Sequence, residues 1–475
     1  MRRQTNGIIE NSSVSSAIVD RKPLRKEYEI FIELEQLCSL PGFVHAIAFF
    51  CYRDNLVRFR EELTPDDLQK LHAPGRLIRT EIATLIGLLA RKAIDYTLPE
   101  PTALQDYLDR TRALMDELHQ AIASVWFEGF DIEAVKNRTV DPLSTGPALR
   151  EPIFYGGDAA YNFQYREFTA KKYARDRKWL VVNKGFDTDT ALIIANALHE
   201  IQTEKLIRIL EDLKAKPREE WTVLPAFSFS LEELSCRSAV DGATVERFAA
   251  AFCTRPGGNA DFNSLQEYNV TNAAPILSTD DDEFILFEHY SLMEALYESP
   301  FFWMGADRTY APTALKNRGA FTETLAYEQL QRVFGAHAHI NVHLEQKKGD
   351  EIGEIDVLVL FGDRAIVLQA KSKRLTLEAR KGNDLQVKDD FKKAIQDSYD
   401  QALNCANALL EGSCKLKANN GLDITFATPL KEVFPICVVA DHYPALAFQA
   451  RQFLKYETSK NIAPPLVTDV FALVV

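Results

Sequence analysis

Gly353-Glu354-Ile355-Asp356-Val357-Leu358-Val359-Leu360-Phe361 runs through Gly362-Asp363 into Arg364-Ala365-Ile366-Val367-Leu368-Gln369-Ala370-Lys371, and this passage decides how the C-terminal third folds. Two runs rich in Val, Ile and Leu about a two-residue Gly-Asp turn predict a tight hairpin of buried strands. Because strand side chains alternate, Glu354 and Asp356 are expected on one face, and Gln369 and Lys371 on one face of the next strand. Burying a carboxylate or an ammonium unpaired costs several kcal/mol, so these groups need a partner, a metal or solvent. A metal would answer for the carboxylate and a phosphate for the lysine. Ordinary strand-end Asp–Lys pairs near the surface are the other reading that spacing leaves open.

Outward from the hairpin, a helix is expected from about Ala320 to Phe334, a strand from Ile340 to Glu345, a long helix from Asp389 to about Leu410 and a strand from Pro435 to Ala440. Val467 to Val475 reads as a further apolar strand, either ordered or cut short by truncation. The order helix, three strands, helix, strand predicts an α/β or α+β unit on a mixed central sheet.

The rest of the chain reads differently. Residues 1–22 are polar, Ser-rich and aperiodic, a loose leader. From Glu27 to about Gln120 the period is helical, as in Ile78, Ile82, Leu85 and Leu89, whereas 121–186 mix aromatics with Gly and Pro, which interrupts helices. A long helix follows an N-cap at Asp187 or Asp189 and ends near Lys214, before Pro217. Between 221 and 300, two short helices about Asp241-Gly242 form either a packed hairpin or a helix-turn-helix presenting Arg247. The expected fold class is therefore multidomain: a leader (1–22), a helical domain (23–220), a small helical or mixed connecting region (221–310) and a C-terminal α/β domain (311–475).

Bulk properties narrow the function. The 475 residues are 46% hydrophobic and 26% charged, the balance of a folded globular protein. No apolar run approaches a membrane span and no signal peptide is read, so a cytoplasmic protein without membrane association is expected. Seven scattered cysteines, none in a C-x-x-C pair, point away from disulfides and zinc. A net charge of −13 argues against coating nucleic acid by bulk electrostatics, so contact must be local. Residues 371–393 offer eight basic against four acidic side chains, including Lys373, Arg374, Arg380 and Lys381. That stretch is either a nucleic-acid patch or a solvated helix face. No G-x-x-x-x-G-K-[ST] loop is present, and His337 and His339 lack further ligands at metal spacing.

Glu354-Ile-Asp356, the turn, and Gln369-Ala-Lys371 resemble the D…(E/Q)-x-K signature of the PD-(D/E)XK nucleases. The Gln variant is similar to the Mrr-like restriction endonucleases and the NERD domain, and Gly319-x-x-x-Glu323 resembles the entry to that family's first helix. The resemblance covers about the last third of the chain and implies a restriction-endonuclease-like fold. It implies that Asp356, with Gln369 and Glu323, would hold Mg²⁺ or Mn²⁺, and that Lys371 would hold the attacking water and the phosphate charge. Glu323 is preferred to Glu328 because it shares the apolar helix face; Glu354 and Gln401 are auxiliary candidates. The expected function is a metal-dependent endonuclease acting on DNA rather than RNA, in defence against foreign DNA, with the helical region as a partner-binding or oligomerising module. The alternative is an inactive nuclease fold that binds nucleic acid or serves as a scaffold.

Overall fold

A computed structural model describes residues 25–475 apart from 57–63, 70–72, 74, 125–136, 138–145, 156–159, 280–282, 348–349, 373–375, 377–383, 413, 426–428, 444 and 475. The N-terminal region is mainly helical. Its principal helices are α1 (Glu27–Cys38), α2 (Phe43–Phe50), α3 (Arg79–Leu89), α4 (Pro101–Ser124), α5 (Asn162–Lys172) and α6 (Thr188–Asp212). Helix α6 begins where expected, with the Asp187 carboxylate accepting the Thr190 N–H at 2.9 Å. No single helix among the described residues is long and apolar enough to cross a membrane; α1 and the α2 segment qualify only as a pair bent by 108°. Both bury their apolar faces in the N-terminal core, around Phe31, Leu34, Phe43 and Ile47.

The connecting region carries a small sheet that periodicity did not signal, because its strands span two or three residues each. Strands β1 (Ser228–Ser230), β2 (Cys253–Thr254), β3 (Ile276–Ser278) and β4 (Glu283–Ile285) lie in the order β1-β4-β3-β2. Helices α7 (Leu231–Ser238) and α8 (Gly242–Ala251) form the expected pair, and Val245, Phe248 and Phe252 are buried in the central core. Arg247 is exposed and its side chain lies over Gly185.

Helices α9 (His289–Ala306) and α10 (Ala311–Phe334) lead into the C-terminal sheet. Helix α10 starts well before Ala320, with Pro312 in its first turn and Ala314 already buried, and it stops at Gly335, whose φ of +58° suits glycine. The sheet comprises β5 (Ala338–Lys347), β6 (Asp350–Phe361), β7 (Arg364–Lys371), β8 (Lys415–Lys417), β9 (Asp423–Ile424), β10 (Glu432–Val439) and β11 (Leu466–Asp469). Its order is β11-β10-β7-β6-β5-β8-β9. Pairing is antiparallel from β9 to β7 and parallel from β7 through β10 to β11. Gly362, at φ +61°, makes the two-residue turn between β6 and β7.

The parallel step from β7 to β10 is spanned by α11 (Asp384–Phe391), a π-turn (Lys392–Gln396) and α12 (Asp397–Glu411), where periodicity predicts one uninterrupted helix. The expected terminal strand ends at Asp469, and a 3-10 turn over Ala472–Val474 follows.

Two helices sandwich the sheet. Phe321, Leu325, Ala326 and Leu330 of α10 pack with Val357, Val359, Leu368 and Ala370 on one face. On the other, Ala402, Cys405, Ala406 and Leu409 of α12 pack with Leu358, Leu360 and Val367. The first of these cores runs on without a break through α5, α6, α8 and α9, so it crosses residues 220 and 310.

A buried charge cluster ties these layers together. Lys172 donates to Asp441 at 2.9 Å and to the Tyr297 carbonyl at 3.0 Å, and Arg318 pairs with the other Asp441 oxygen. All three residues are at most 5% exposed. Removing one partner leaves buried charge uncompensated. We therefore expect Asp441→Ala to lower the unfolding free energy by about 3–5 kcal/mol, read as a shift of the urea midpoint; an unchanged midpoint would contradict this role for the cluster.

Candidate active site

The β6–β7 hairpin pairs regularly from Phe361–Arg364 back to Val357–Leu368, and there the ladder stops. Beyond that point side chains replace the main-chain bonds. The Asp356 carboxylate accepts the Ala370 N–H at 2.6 Å, and the Gln369 side-chain amide donates to the Glu354 carbonyl at 2.6 Å. Asp356 and Gln369 thus satisfy the main-chain groups that the parting strands expose.

Opposite Asp356, on β5, Asn341 adopts a left-handed φ of +51°, and the Asn341–Asp356 pair is missing between Ile340–Val357 and Val342–Ile355. Asn tolerates this conformation better than most residues. The apolar faces exchange here: Val357 and Val359 pack toward α10, whereas Ile355 packs toward α12. Strict alternation, which would keep Glu354 and Asp356 on one face, therefore does not carry through Asp356.

The remaining residues gather at this opening. Lys371, at the end of β7, donates to the Gln401 side-chain carbonyl of α12 at 2.8 Å, so the exposed Gln401 does face the lysine. Ser398 of the same helix donates to the Gln369 carbonyl at 3.4 Å. Glu323 is half-buried on α10, while Glu328 is exposed and pairs with Lys171 at 2.9 Å. Gln369 is 2% exposed and Glu354 is exposed.

Electrostatics report the same convergence. Burial, opposed by the Ala370 N–H and by Lys371, pushes the Asp356 carboxyl up to about 6, with Glu323 and Glu354 adding repulsion. Burial also raises Glu323, Glu354 adds to the rise, and Lys371 and Arg175 oppose it. Glu323, Glu354, Asp356 and Lys371 are therefore within electrostatic reach of one another. A site with more carboxylate than cation is one that a divalent ion would complete.

The donor set fits a hard cation that keeps waters. It offers the Asp356 and Glu323 carboxylates and the neutral oxygen of Gln369, whose amide nitrogen is already engaged; Mg²⁺ commonly takes one or two carboxylates plus water and phosphate oxygens. Among the described residues, no group of three or more His, Cys, Asp or Glu side chains is placed to hold a metal.

The basic candidates Lys373, Arg374, Arg380 and Lys381 lie outside the described residues. Farther along the same stretch, Lys393 pairs with Asp389 at 2.7 Å and Lys392 with Asp397 at 2.6 Å, so these two lysines are already paired at the helix surface. Asp390, fully buried, instead accepts the N–H and the hydroxyl of Thr376, which anchors the chain just after Lys371. Nothing in the sequence around Arg175 signals that its charge acts on Glu323. No family model matches the chain, and no curated protein or solved structure matches it.

Because the folded carboxyl of Asp356 titrates near 6 and an unperturbed one near 3.8, the folded state holds this proton longer than the unfolded state. The group therefore contributes a stability that is lost as pH rises from about 4 to 6. In metal-free protein, Asp356→Asn should match wild type near the lower limit and exceed it above the upper one by on the order of 3 kcal/mol. Denaturant midpoints across that range check this, and a gap that does not widen with pH would contradict it.

Proposed function

We propose that the chain is a metal-dependent nuclease that hydrolyses phosphodiester bonds in DNA, with a restriction-endonuclease-like C-terminal unit of the PD-(D/E)XK kind. The observation that carries this reading is the opened hairpin. Asp356 and Gln369 occupy the gap where β6 and β7 part, with Lys371 beside them and Glu323 in electrostatic reach. The sheet supports it too, since an antiparallel β5-β6-β7 meander joined through a helix to a parallel β10 is the order the resemblance implies.

In this reading Asp356, Glu323 and the Gln369 side-chain oxygen would hold Mg²⁺ or Mn²⁺. Bound there, the ion would supply Lewis-acid polarisation of the scissile phosphate and a lowered pKa for a ligated water. Lys371, held by Gln401, places a positive charge where the phosphoryl oxygens gain negative charge and orients the attacking water. Glu354 adds negative potential from the strand edge. No side chain needs to form a covalent intermediate. Gln401 restrains the lysine without neutralising it, as a carboxylate there would.

A second reading, an inactive nuclease fold that binds nucleic acid, draws on the neutral Gln369 and the absence of a three-ligand acidic group among the described residues. The two diverge in one assay. With Mg²⁺ or Mn²⁺, the full chain should cleave duplex DNA, and Asp356→Ala or Lys371→Ala should each lower the rate by roughly 10²-fold or more. Equal cleavage by wild type and both variants would overturn the assignment, and no cleavage by wild type with intact binding would favour the second reading. Single-stranded RNA as a parallel substrate distinguishes the nucleic acid.

A further inference from the structure

We infer that Arg175, from the N-terminal helical region, is a phosphate-binding residue of the cleavage site, so that the site is completed by two parts of the chain far apart in sequence. The inference rests on the proposed reading of the site as one that cleaves phosphodiesters, and it names a substrate contact which that reading leaves out.

The segment that carries Arg175 is clamped on both sides. Just before it, Lys172 is buried against Asp441 and the Tyr297 carbonyl, and the Tyr173 hydroxyl donates to the same carbonyl at 2.6 Å. Just after it, Asp176 accepts the hydroxyl of Tyr310, the residue before α10, at 2.7 Å and the amide of Asn317, in the second turn of α10, at 2.6 Å. One turn earlier, Lys171 bonds Glu328 of α10 at 2.9 Å. Residues 171–176 thus lie along α10 between positions 310 and 328, the interval that contains Glu323.

The same clamp reaches the other side of the site. Asp441, the partner of Lys172, follows Ala440, whose N–H bonds the carbonyl of Lys371 at 3.0 Å. The end of α5 is therefore fixed to the end of β7.

Within this rigid segment Arg175 is exposed, and among the described residues its side chain has no hydrogen bond or ion pair. Its neighbours Lys171, Lys172 and Asp176 are all engaged, so it is the cation of this segment left to meet a ligand. Its charge acts on the Asp176 and Glu323 carboxyls, favouring the ionised form of both. A guanidinium held in this way suits a phosphate next to the scissile one, since its planar fork matches phosphate oxygens. A cation at the surface end of the site also offsets the repulsion that Glu323 and Glu354 would exert on a polyanion.

The test measures binding of a fluorescein-labelled DNA duplex by the full chain in Ca²⁺ over a range of salt, for wild type, Arg175→Ala, Arg175→Gln and Arg175→Lys. One lost phosphate contact lowers the slope of log affinity against log salt by about 0.9. The expected result is that decrease in both neutral variants, with affinity down roughly tenfold at low salt, and a wild-type slope in Arg175→Lys. Urea midpoints equal to wild type are expected, because the side chain is exposed and unbonded. Unchanged slopes, or weaker binding at an unchanged slope, would overturn the inference. If those slopes are unchanged while Asp356→Ala still abolishes cleavage, the site reading survives and the Arg175 role does not. A wild-type chain that neither binds nor cleaves the duplex overturns both.

Discussion

The constraint on which the C-terminal unit depends is the parting of β6 from β7 at Asp356. A hairpin with this much Val, Ile and Leu would ordinarily zip to its end, and each extra rung would satisfy two main-chain groups. Here the rungs past Val357–Leu368 are replaced by a carboxylate on the Ala370 N–H and an amide on the Glu354 carbonyl. The exchange keeps the main chain hydrogen-bonded while bringing a half-buried acid, a buried amide and a lysine to one place between two packed helices. It also explains why position 369 suits glutamine. A glutamate could not donate to the Glu354 carbonyl and would add charge to a site already rich in carboxylates.

What surrounds the opening is organised to keep it rigid. The α10 face of the sheet shares one apolar core with α5, α6, α8 and α9, and the Lys172–Asp441–Arg318 cluster joins the helical region to the ends of β7 and β10. On the opposite face the π-turn at Lys392–Gln396 lies shortly before Ser398 and Gln401, which hydrogen-bond to β7 from α12. A π-turn rotates the helix that follows it, so the direction in which those side chains point is set there. Under the proposed function, the helical region is part of the site's framework rather than an appended module.

Much of this was legible in the sequence because the C-terminal runs are long and strongly patterned. Gly362-Asp363 marks the hairpin, and the spacing of Asp356, Gln369 and Lys371 places them near one another once the strands are assigned. Glu323 was distinguishable from Glu328 because α10 is amphipathic, with one residue on the buried stripe and the other beside Lys171. Three features were not legible. The left-handed Asn341 breaks the alternation that pattern reading assumes, the π-turn leaves helical periodicity almost intact, and the four short strands of the connecting region are too brief to show a period. Arg175 is a different case, since its position depends on long-range contacts of Lys172 and Asp176 that carry no local signal.

The central claim is that the opening at Asp356 is a divalent-cation site, and calorimetric titration of the full chain with Mn²⁺ tests it most directly. Wild type should bind one ion at this site, and Asp356→Asn, which keeps the side chain's shape and its hydrogen bond to Ala370, should lose that binding. Equal Mn²⁺ binding by the two proteins, or none by wild type, would contradict the account.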